Sequence, residues 1–238
     1  MNFAAAGGLY RLPGPTPERI RMNRREFSVQ LASAAGVAAL SGLGLPGAAF
    51  AQGTPVNGKD FDTLKTPINL PRTGKVEVIE FFWYGCPHCF AFEPTLEPWV
   101  AQLPADVHFR RVPVQFDALK EIHQQVYYTW EALGLVDAMH TKTFNRFHLQ
   151  RKPINREEDM LAFAQESGLD VAKVKQAWES FGVRTKMGQA KQLSEDYGVD
   201  GVPTIGIHGR YTTSPSQGGP KECLATTDWL VAQLRKTA

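Results

Sequence analysis

The amino-acid sequence predicts an α/β domain whose sheet-forming segments are separated by a block of helices. Apolar, β-rich runs at 76–84 and 107–114 flank a helical segment. Apolar residues then recur at helical spacing from about 117 to 198, and β-type residues return at 201–213. With 238 residues, the chain is long enough for one large domain or for one domain that carries an insertion.

The first predicted unit is strand, helix, strand. The run at 76–84 is almost continuously apolar, which is typical of a strand that is buried on both faces of a sheet. Gly85 ends it, and residues 90–100 follow as a predicted helix that Pro94 and Pro98 should kink or interrupt. A second strand at 107–114 completes the unit, with a right-handed crossover expected from general topology rules.

The helical block is predicted from the spacing of its apolar residues and from its capping residues. The first helix ends at Gly134, and a short helix around Met139 follows it. Asn155 and Glu158 predict a capping box for the next helix, and Asp170 is the predicted N-cap of the one after it. A longer helix precedes residue 198, strands are expected at 205–208 and 210–213, and a last amphipathic helix at 222–236.

Residues 1–51 indicate an export segment. A basic part that begins at Met22 and contains Arg24-Arg25 precedes a short apolar stretch and the small-residue triplet at 49–51. The paired arginines with Phe27 resemble a twin-arginine signal. Met22 is a second candidate start beside Met1. We expect the mature chain to begin near Gln52, in an oxidising compartment; a genuine amphipathic helix is the alternative.

Four segments therefore make up the predicted organisation. They are the export segment 1–51, a first part of the α/β domain at 52–116, a helical insertion at 117–190 and a second part of the α/β domain at 191–238.

The composition excludes several classes of protein. Hydrophobic residues make up 43% and charged residues 21%, which excludes a wholly disordered or fibrous chain. No run of about eighteen apolar residues occurs in the body of the chain, which excludes a multi-span membrane protein. Five arginines and two glutamates lie before residue 52, which leaves 21 basic and 22 acidic residues after it. This balance lacks the basic excess of nucleic-acid binding, and we expect no nucleic-acid partner.

The strongest chemical motif is Cys86-Pro87-His88-Cys89, between the first strand and the first helix. At this spacing the two sulfurs can close a small disulfide with little backbone motion. The first sulfur would lie at a helix N-terminus, where unpaired amides favour a thiolate. The alternatives are an inert structural disulfide and a zinc site, which would need Cys223 and a histidine as further ligands.

These features together resemble a known family. Phe81-Phe82 before the cysteine motif, the helical block and the late Gly201-Val202-Pro203 are similar to the DsbA family of periplasmic thiol:disulfide oxidoreductases, over roughly 57–236. The resemblance implies a thioredoxin fold interrupted by an inserted helical domain, and a redox-active disulfide instead of a cofactor or metal. It implies that Cys86 is the exposed reactive cysteine and Cys89 the buried resolving one. It also implies that Val202 and Pro203 form a cis-proline loop that pairs with the substrate backbone.

Three further residues carry hypotheses. His88 is expected to donate a hydrogen bond or a charge to the Cys86 thiolate, which would make the disulfide a stronger oxidant; a solvated side chain is the alternative. The resemblance places Glu80 beneath the site and beside Arg111, either as a proton acceptor for Cys89 or as half of a structural ion pair. Cys223 is expected to be a small, partly buried side chain, with intermolecular disulfides as the alternative.

The predicted function is that of an exported dithiol oxidase, which donates the Cys86–Cys89 disulfide to unfolded or reduced proteins in the periplasm. From the family alone, a membrane-bound, DsbB-like, quinone-linked partner would reoxidise it, and we expect a monomer. The alternatives are a disulfide isomerase or reductase, and a peptide-binding chaperone whose cysteine pair is structural.

Overall fold

The computed structural model describes residues 53–70 and 73–236. The predicted export segment therefore lies outside the described residues. Within them the order of elements is β1 (Asp62–Thr63), β2 (Val76–Phe82), α1 (Pro87–Val100), β3 (Val107–Pro113), α2 (Ala118–Ala132), α3 (Val136–His148), α4 (Glu157–Glu166), α5 (Val171–Trp178), α6 (Phe181–Asp196), β4 (Thr204–Ile207), β5 (Tyr211–Thr213) and α7 (Pro220–Lys236). No described helix has both the length and the apolar character that crossing a membrane requires.

The strands form one mixed sheet in the order β1-β5-β4-β2-β3. β2 pairs in parallel with β3 and antiparallel with β4, so the cysteine motif follows a strand with a partner on each side. The short strand β1, which the sequence analysis did not predict, pairs antiparallel with β5. The helices α2 to α6 lie between β3 and β4 in sequence, as the periodicity predicts.

β2 is buried on both faces, as its apolar run predicts. Ile79 and Phe81 pack into a core shared with the helical block, whereas Val78 packs into a second core with α7. Alternate residues of a strand point to opposite faces, which explains the division. The strand ends at Phe82, before the predicted residue 84, because the chain turns there: the Cys86 N–H donates to the Trp83 carbonyl at 2.9 Å.

α1 begins at Pro87, three residues earlier than predicted, and runs without interruption through Pro94 and Pro98. The expected interruption is wrong. Both prolines are exposed, so their rings lie on the solvent side of the helix, while Phe92 and Leu96 anchor the opposite side in the core.

The caps of the helical block agree with the sequence except at α4. Asp170 caps α5 as predicted, accepting from the amides of the first turn at 3.1 and 3.2 Å. The predicted capping box of Asn155 and Glu158 is wrong, because the N-cap is Arg156. The helix begins one residue later, and the acid that reaches back to the Asn155 N–H, at 3.0 Å, is Asp159.

Candidate active site

Cys86 is the N-cap of α1, and this position determines the surroundings of its sulfur. Its extended backbone lets Sγ accept a hydrogen bond from the Cys89 N–H at 3.4 Å. Pro87 occupies the first helical position, where its missing N–H costs no hydrogen bond. On the other side, the Cys86 thiol donates to the Val202 carbonyl at 3.4 Å. The reactive sulfur therefore lies between a helix N-terminus and a loop 116 residues later in the chain.

The two cysteines differ in exposure less than the family resemblance implied. Cys86 is 6% exposed and Cys89 is fully buried, so the expectation of an exposed Cys86 is wrong. The Val202 loop covers Cys86 on one side, and the first turn of α1 covers it on the other. Little of the Cys86 side chain therefore remains exposed to solvent. Both residues are free thiols, so the structure represents the reduced protein.

The two thiols differ strongly in acidity. The pKa of Cys86 is lowered to about 6. The hydrogen bond from the Cys89 side chain lowers it most, and the amides of Cys89 and His88 and the charge of His88 add to this effect. Together they outweigh burial, which would raise the pKa. Burial raises the pKa of Cys89 far above its ordinary value, and the charge of Glu80 adds to this rise. At neutral pH one sulfur is therefore a thiolate and the other a thiol, which is the asymmetry that thiol–disulfide exchange uses.

His88 lies in the first turn of α1 with an exposed side chain. Its backbone amide lowers the pKa of Cys86 more than its imidazole charge does. The sequence predicted both contributions, and the structure ranks the amides of the helix N-terminus above the His88 imidazole.

Glu80 and Arg111 face each other on the parallel pair β2–β3. Arg111 Nε donates to Glu80 Oε2 at 3.0 Å, and Glu80 is fully buried. Burial and the nearby charge of Glu93 raise the pKa of Glu80 to about 8, although Arg111 opposes the rise. At neutral pH Glu80 therefore holds a proton in a large share of the molecules.

Arg111 is shared among three carboxylates, which the sequence analysis missed. Its Nη2 lies 2.6 Å from Glu97 Oε1 and 3.5 Å from Glu93 Oε2. His140 Nε2 lies 3.5 Å from the same Glu93 oxygen. One guanidinium thus opposes three acids, so Glu80 is not fully neutralised. The spacing of Glu93 and Glu97, one helical turn apart on α1, was the available signal.

The same group is the one cluster in the described part of the chain whose side chains could hold a metal ion. Donor atoms of Glu93, Glu97 and His140 lie within 4.8 Å of one another. The Arg111 guanidinium already binds two of the three, which does not fit a cation. The predicted zinc alternative would need Cys223 beside the cysteine pair, but Cys223 packs in the opposite core.

Cys223 is more buried than predicted. It is fully buried in the first turn of α7, whereas the sequence suggested partial burial. Burial raises the pKa of its thiol to about 12. A fully buried thiol in its protonated form is unreactive, which disfavours the alternative of intermolecular disulfides.

The loop opposite the cysteines carries the peptide bond between Val202 and Pro203, which is cis as the resemblance implied. Ser214 Oγ donates to the Pro203 carbonyl at 2.9 Å, so the loop is fastened to the segment after β5. Pro203 is buried and Val202 half-buried. The loop therefore presents backbone beside the Cys86 sulfur.

An aromatic group that the sequence analysis missed supports the other side of the motif. His148 Nε2 lies 2.8 Å from the Tyr84 carbonyl, and its ring stacks on Phe90 with centroids 4.7 Å apart. These contacts tie the end of α3 to the residues on both sides of the cysteine pair. Only the fold brings them together, because α3 is about 60 residues later in the chain.

Comparison with known proteins gives a consistent result. The model of the DSBA-like thioredoxin domain family matches residues 77–219. A protein of Pseudomonas aeruginosa named thiol:disulfide interchange protein DsbA is 40% identical over 182 residues, which is 76% of this chain and 86% of the relative. A protein of the same name from Azotobacter vinelandii is 40% identical over 179 residues, or 75% of this chain and 84% of the relative.

Solved structures show the same likeness. The crystal structure of Pseudomonas aeruginosa DsbA is 39% identical, with a TM-score of 0.73 over 76% of this chain and 94% of that one. The oxidoreductase DsbA from Xylella fastidiosa is 28% identical, with a TM-score of 0.72 over 77% of this chain and 99% of that one.

Proposed function

Since the chain belongs to the family of DSBA-like thioredoxin-domain proteins, and is thus a thiol:disulfide oxidoreductase with a thioredoxin fold, we propose that it donates its Cys86–Cys89 disulfide to reduced proteins in the periplasm. The family, the fold class and the enzyme class predicted from the sequence are confirmed. The observation that carries the proposal is the opposite acidity of two sulfurs at the start of one helix.

The first step is attack by a client thiolate on Sγ of Cys86 in the oxidised protein. A bond forms between the client sulfur and Cys86, the Cys86–Cys89 bond breaks, and Cys89 leaves as a thiolate. A second client thiolate then attacks the client sulfur of this mixed disulfide, and Cys86 leaves as a thiolate. The client loses two electrons, which the protein keeps as its dithiol. The low pKa of Cys86 makes it a good leaving group in the second step.

Glu80 is the proposed proton exchanger for Cys89. Cys89 must gain a proton after it leaves, because burial strongly disfavours its thiolate. Glu80 has a pKa of about 8, so it holds a proton to give at neutral pH and can accept one when Cys89 attacks during reoxidation. This role requires the carboxylate to titrate, whereas a purely structural ion pair with Arg111 would not.

The substrate backbone is proposed to pair with Val202 and Pro203. The 3.4 Å contact between the Val202 carbonyl and the Cys86 sulfur supports this, because it places a loop backbone directly beside the reactive sulfur. The redox group is the dithiol of Cys86 and Cys89 itself, without a cofactor.

Residues 1–51 are the proposed export segment, followed by the domain parts 52–116 and 191–238 around the insertion 117–190. Mass spectrometry of the periplasmic protein should give a chain that begins near Gln52, and an intact segment before it would contradict the proposal. A DsbB-like, quinone-linked membrane protein is the proposed reoxidant of a monomeric enzyme.

Reoxidation of reduced ribonuclease by a stoichiometric amount of oxidised protein tests the function. The wild type should restore ribonuclease activity and Cys86→Ser should not. Cys89→Ser, loaded beforehand as a Cys86–glutathione mixed disulfide because it cannot form the internal one, should release glutathione and form a mixed disulfide with the client. Cys223→Ala is the matched control, because it removes a thiol outside the motif and should act like wild type. A chaperone with a structural disulfide would assist ribonuclease equally well with Cys86→Ser.

The equilibrium with glutathione distinguishes an oxidase from a reductase or isomerase. An oxidising potential is expected, because stabilising the Cys86 thiolate stabilises the reduced protein. A strongly reducing potential would favour the reductase and contradict the donation of disulfides.

A further inference from the structure

A groove opens beside the cysteine motif and continues well past it. It has a volume of about 1050 Å³ and is lined by His88, by the Val202–Pro203 loop, and by segments around β1, the end of α6 and the turn after β5. Val202, whose carbonyl contacts the Cys86 sulfur, lines the groove, so the groove lies next to the reactive sulfur. A client that reacts with Cys86 therefore has a channel for the residues next to its cysteine.

The charged residues that line this groove are mostly acidic. Its carboxylates are Asp62, Glu195, Asp196 and Asp200, whereas Lys65 is its only lysine or arginine among the described residues. The whole chain beyond residue 51 is balanced, with 21 basic and 22 acidic residues, so the groove differs from the average surface. We call this channel the acidic groove.

These carboxylates are exposed and without a counter-charge. In the described part of the chain none of the four forms an ion pair with a basic side chain. Asp62 accepts a hydrogen bond from Gln217 at 2.9 Å, and Asp196 accepts one from Gln192 at 2.9 Å, but both donors are neutral. Their negative charge therefore remains available to a ligand.

Three of the acids lie where helix electrostatics disfavours them. Glu195 and Asp196 are in the last turn of α6, which contains no basic residue, and Asp200 follows four residues after the helix. The C-terminus of a helix carries a partial negative charge, so acidic residues there reduce the stability of the helix. The helix end and the three carboxylates add to one negative potential next to the Val202–Pro203 loop.

We propose that the acidic groove selects client segments that carry lysine or arginine next to the reacting cysteine. The inference rests on the proposed function, since it names the class of client sequence that this site takes. An extended segment that crosses the Val202–Pro203 loop would place its neighbouring side chains among Glu195, Asp196 and Asp200. Walls of low dielectric constant concentrate this potential, so it acts on both encounter and binding.

The test uses three short peptides, each with a single cysteine. They differ only in the two residues on each side of that cysteine, which are all lysine in the first peptide, all glutamine in the second and all glutamate in the third. With the peptide in excess, stopped-flow measures the rate constant of the first step for each peptide, in which the peptide thiolate opens the Cys86–Cys89 disulfide and forms a mixed disulfide with Cys86. A second peptide molecule completes the reduction and leaves as a peptide disulfide. Flanking lysines also acidify the peptide thiol, so each rate is divided by that of the same peptide with the uncharged 2-hydroxyethyl disulfide. We expect a normalised lysine-to-glutamate ratio of about ten at low salt, which falls toward one at high salt.

Removal of the charges tests the assignment to the groove. The triple variant Glu195→Gln, Asp196→Asn, Asp200→Asn should lower the ratio to about two or less. The matched control is Glu121→Gln, Asp137→Asn, Glu179→Gln, which removes three exposed carboxylates of the helical block and should keep the wild-type ratio. Reduction by uncharged dithiothreitol corrects both variants for any change in the disulfide itself.

The outcomes separate the inference from the function. If dithiothreitol and all three peptides fail to reduce the wild-type disulfide, the proposed function is wrong. If all peptides react but at equal normalised rates, or if the groove variant keeps the full ratio, the function stands and the selectivity for basic segments is overturned.

Discussion

Arg111 Nε and Glu80 Oε2 are 3.0 Å apart across the parallel strands β2 and β3, and the pair lies in the core beneath the cysteine motif. The relationship is unequal, because Arg111 also binds Glu97 and Glu93. Burial and then the charge of Glu93 raise the pKa of Glu80 to about 8, and the shared Arg111 lowers it too little to offset the rise. The proposed role of Glu80 in proton exchange depends on this raised pKa.

Glu80→Gln should reduce the dependence of stability on pH. In the folded protein the Glu80 pKa is about 8, above its ordinary value of 4.5. Between these values the folded protein binds a proton that the unfolded chain lacks, so the stabilisation is complete below 4.5 and is lost as pH rises through 8. The slope is at most about 1.4 kcal/mol per pH unit.

Urea unfolding of the reduced protein at pH 5, 6, 7 and 8 measures this effect. The stability of Glu80→Gln relative to wild type should increase with pH, while the exposed control Glu121→Gln should stay parallel to wild type. The rate of ribonuclease reoxidation should lose the part of its pH dependence that titrates near 8 and keep the part that reflects the client thiolate. A Glu80→Gln variant with wild-type exchange rates at every pH would leave Glu80 a structural residue only.

Cys86 should be alkylated much faster than Cys89 in the reduced protein. With a pKa of about 6, Cys86 is about 90% thiolate at pH 7, whereas an ordinary cysteine is about 3% thiolate. Mass spectrometry after short exposure to iodoacetamide should locate the label on Cys86, with a pH–rate midpoint near 6. Equal, slow labelling of both cysteines would contradict the thiolate mechanism.

His88→Ala should raise the pKa of Cys86 by less than about one unit, because the imidazole contributes less than the amides of the first turn. The disulfide should become less oxidising by less than about 30 mV. Thiolate absorbance at 240 nm against pH and the glutathione equilibrium measure the two quantities. A shift of two units or more would show that the side chain, not the helix N-terminus, dominates.

Gly206→Ala should destabilise the sheet by about 1–3 kcal/mol. A Cβ at this position in β4 would lie 2.6 Å from the Tyr197 ring and 2.9 Å from Phe81, both in the packed core. Gly188→Ala is the control, because no atom lies within 4 Å of its added Cβ and it should stabilise α6 by up to about 1 kcal/mol. Thermal unfolding compares the two variants. Equal melting temperatures would show that the side chains around β4 move apart and accommodate the added methyl group.

Cys223→Ala should leave the exchange rate unchanged and reduce stability by about 1 kcal/mol, because it removes a fully buried sulfur from the core around α7. Non-reducing electrophoresis of oxidised wild type should show a monomer. Covalent dimers that disappear in Cys223→Ala would instead support an intermolecular role for this thiol.

The sequence by itself determined the features that depend on neighbours in the chain. The apolar run at 76–84 predicts a strand with both faces covered, and the Cys86–Cys89 motif directly after it predicts a thiolate at a helix N-terminus. Helical spacing from 117 to 198 predicts the inserted helices. These are local properties, because backbone periodicity and capping involve residues within a few positions of one another.

Only the tertiary structure decided the exposed fraction of Cys86 and the number of carboxylates that share Arg111. It also decided that the acids at the end of α6 line one groove together with Asp62. Each depends on a contact between distant parts of the chain, such as Val202 with Cys86. The physical reason is that burial and Coulomb interactions depend on distance in space, which periodicity along the sequence does not specify.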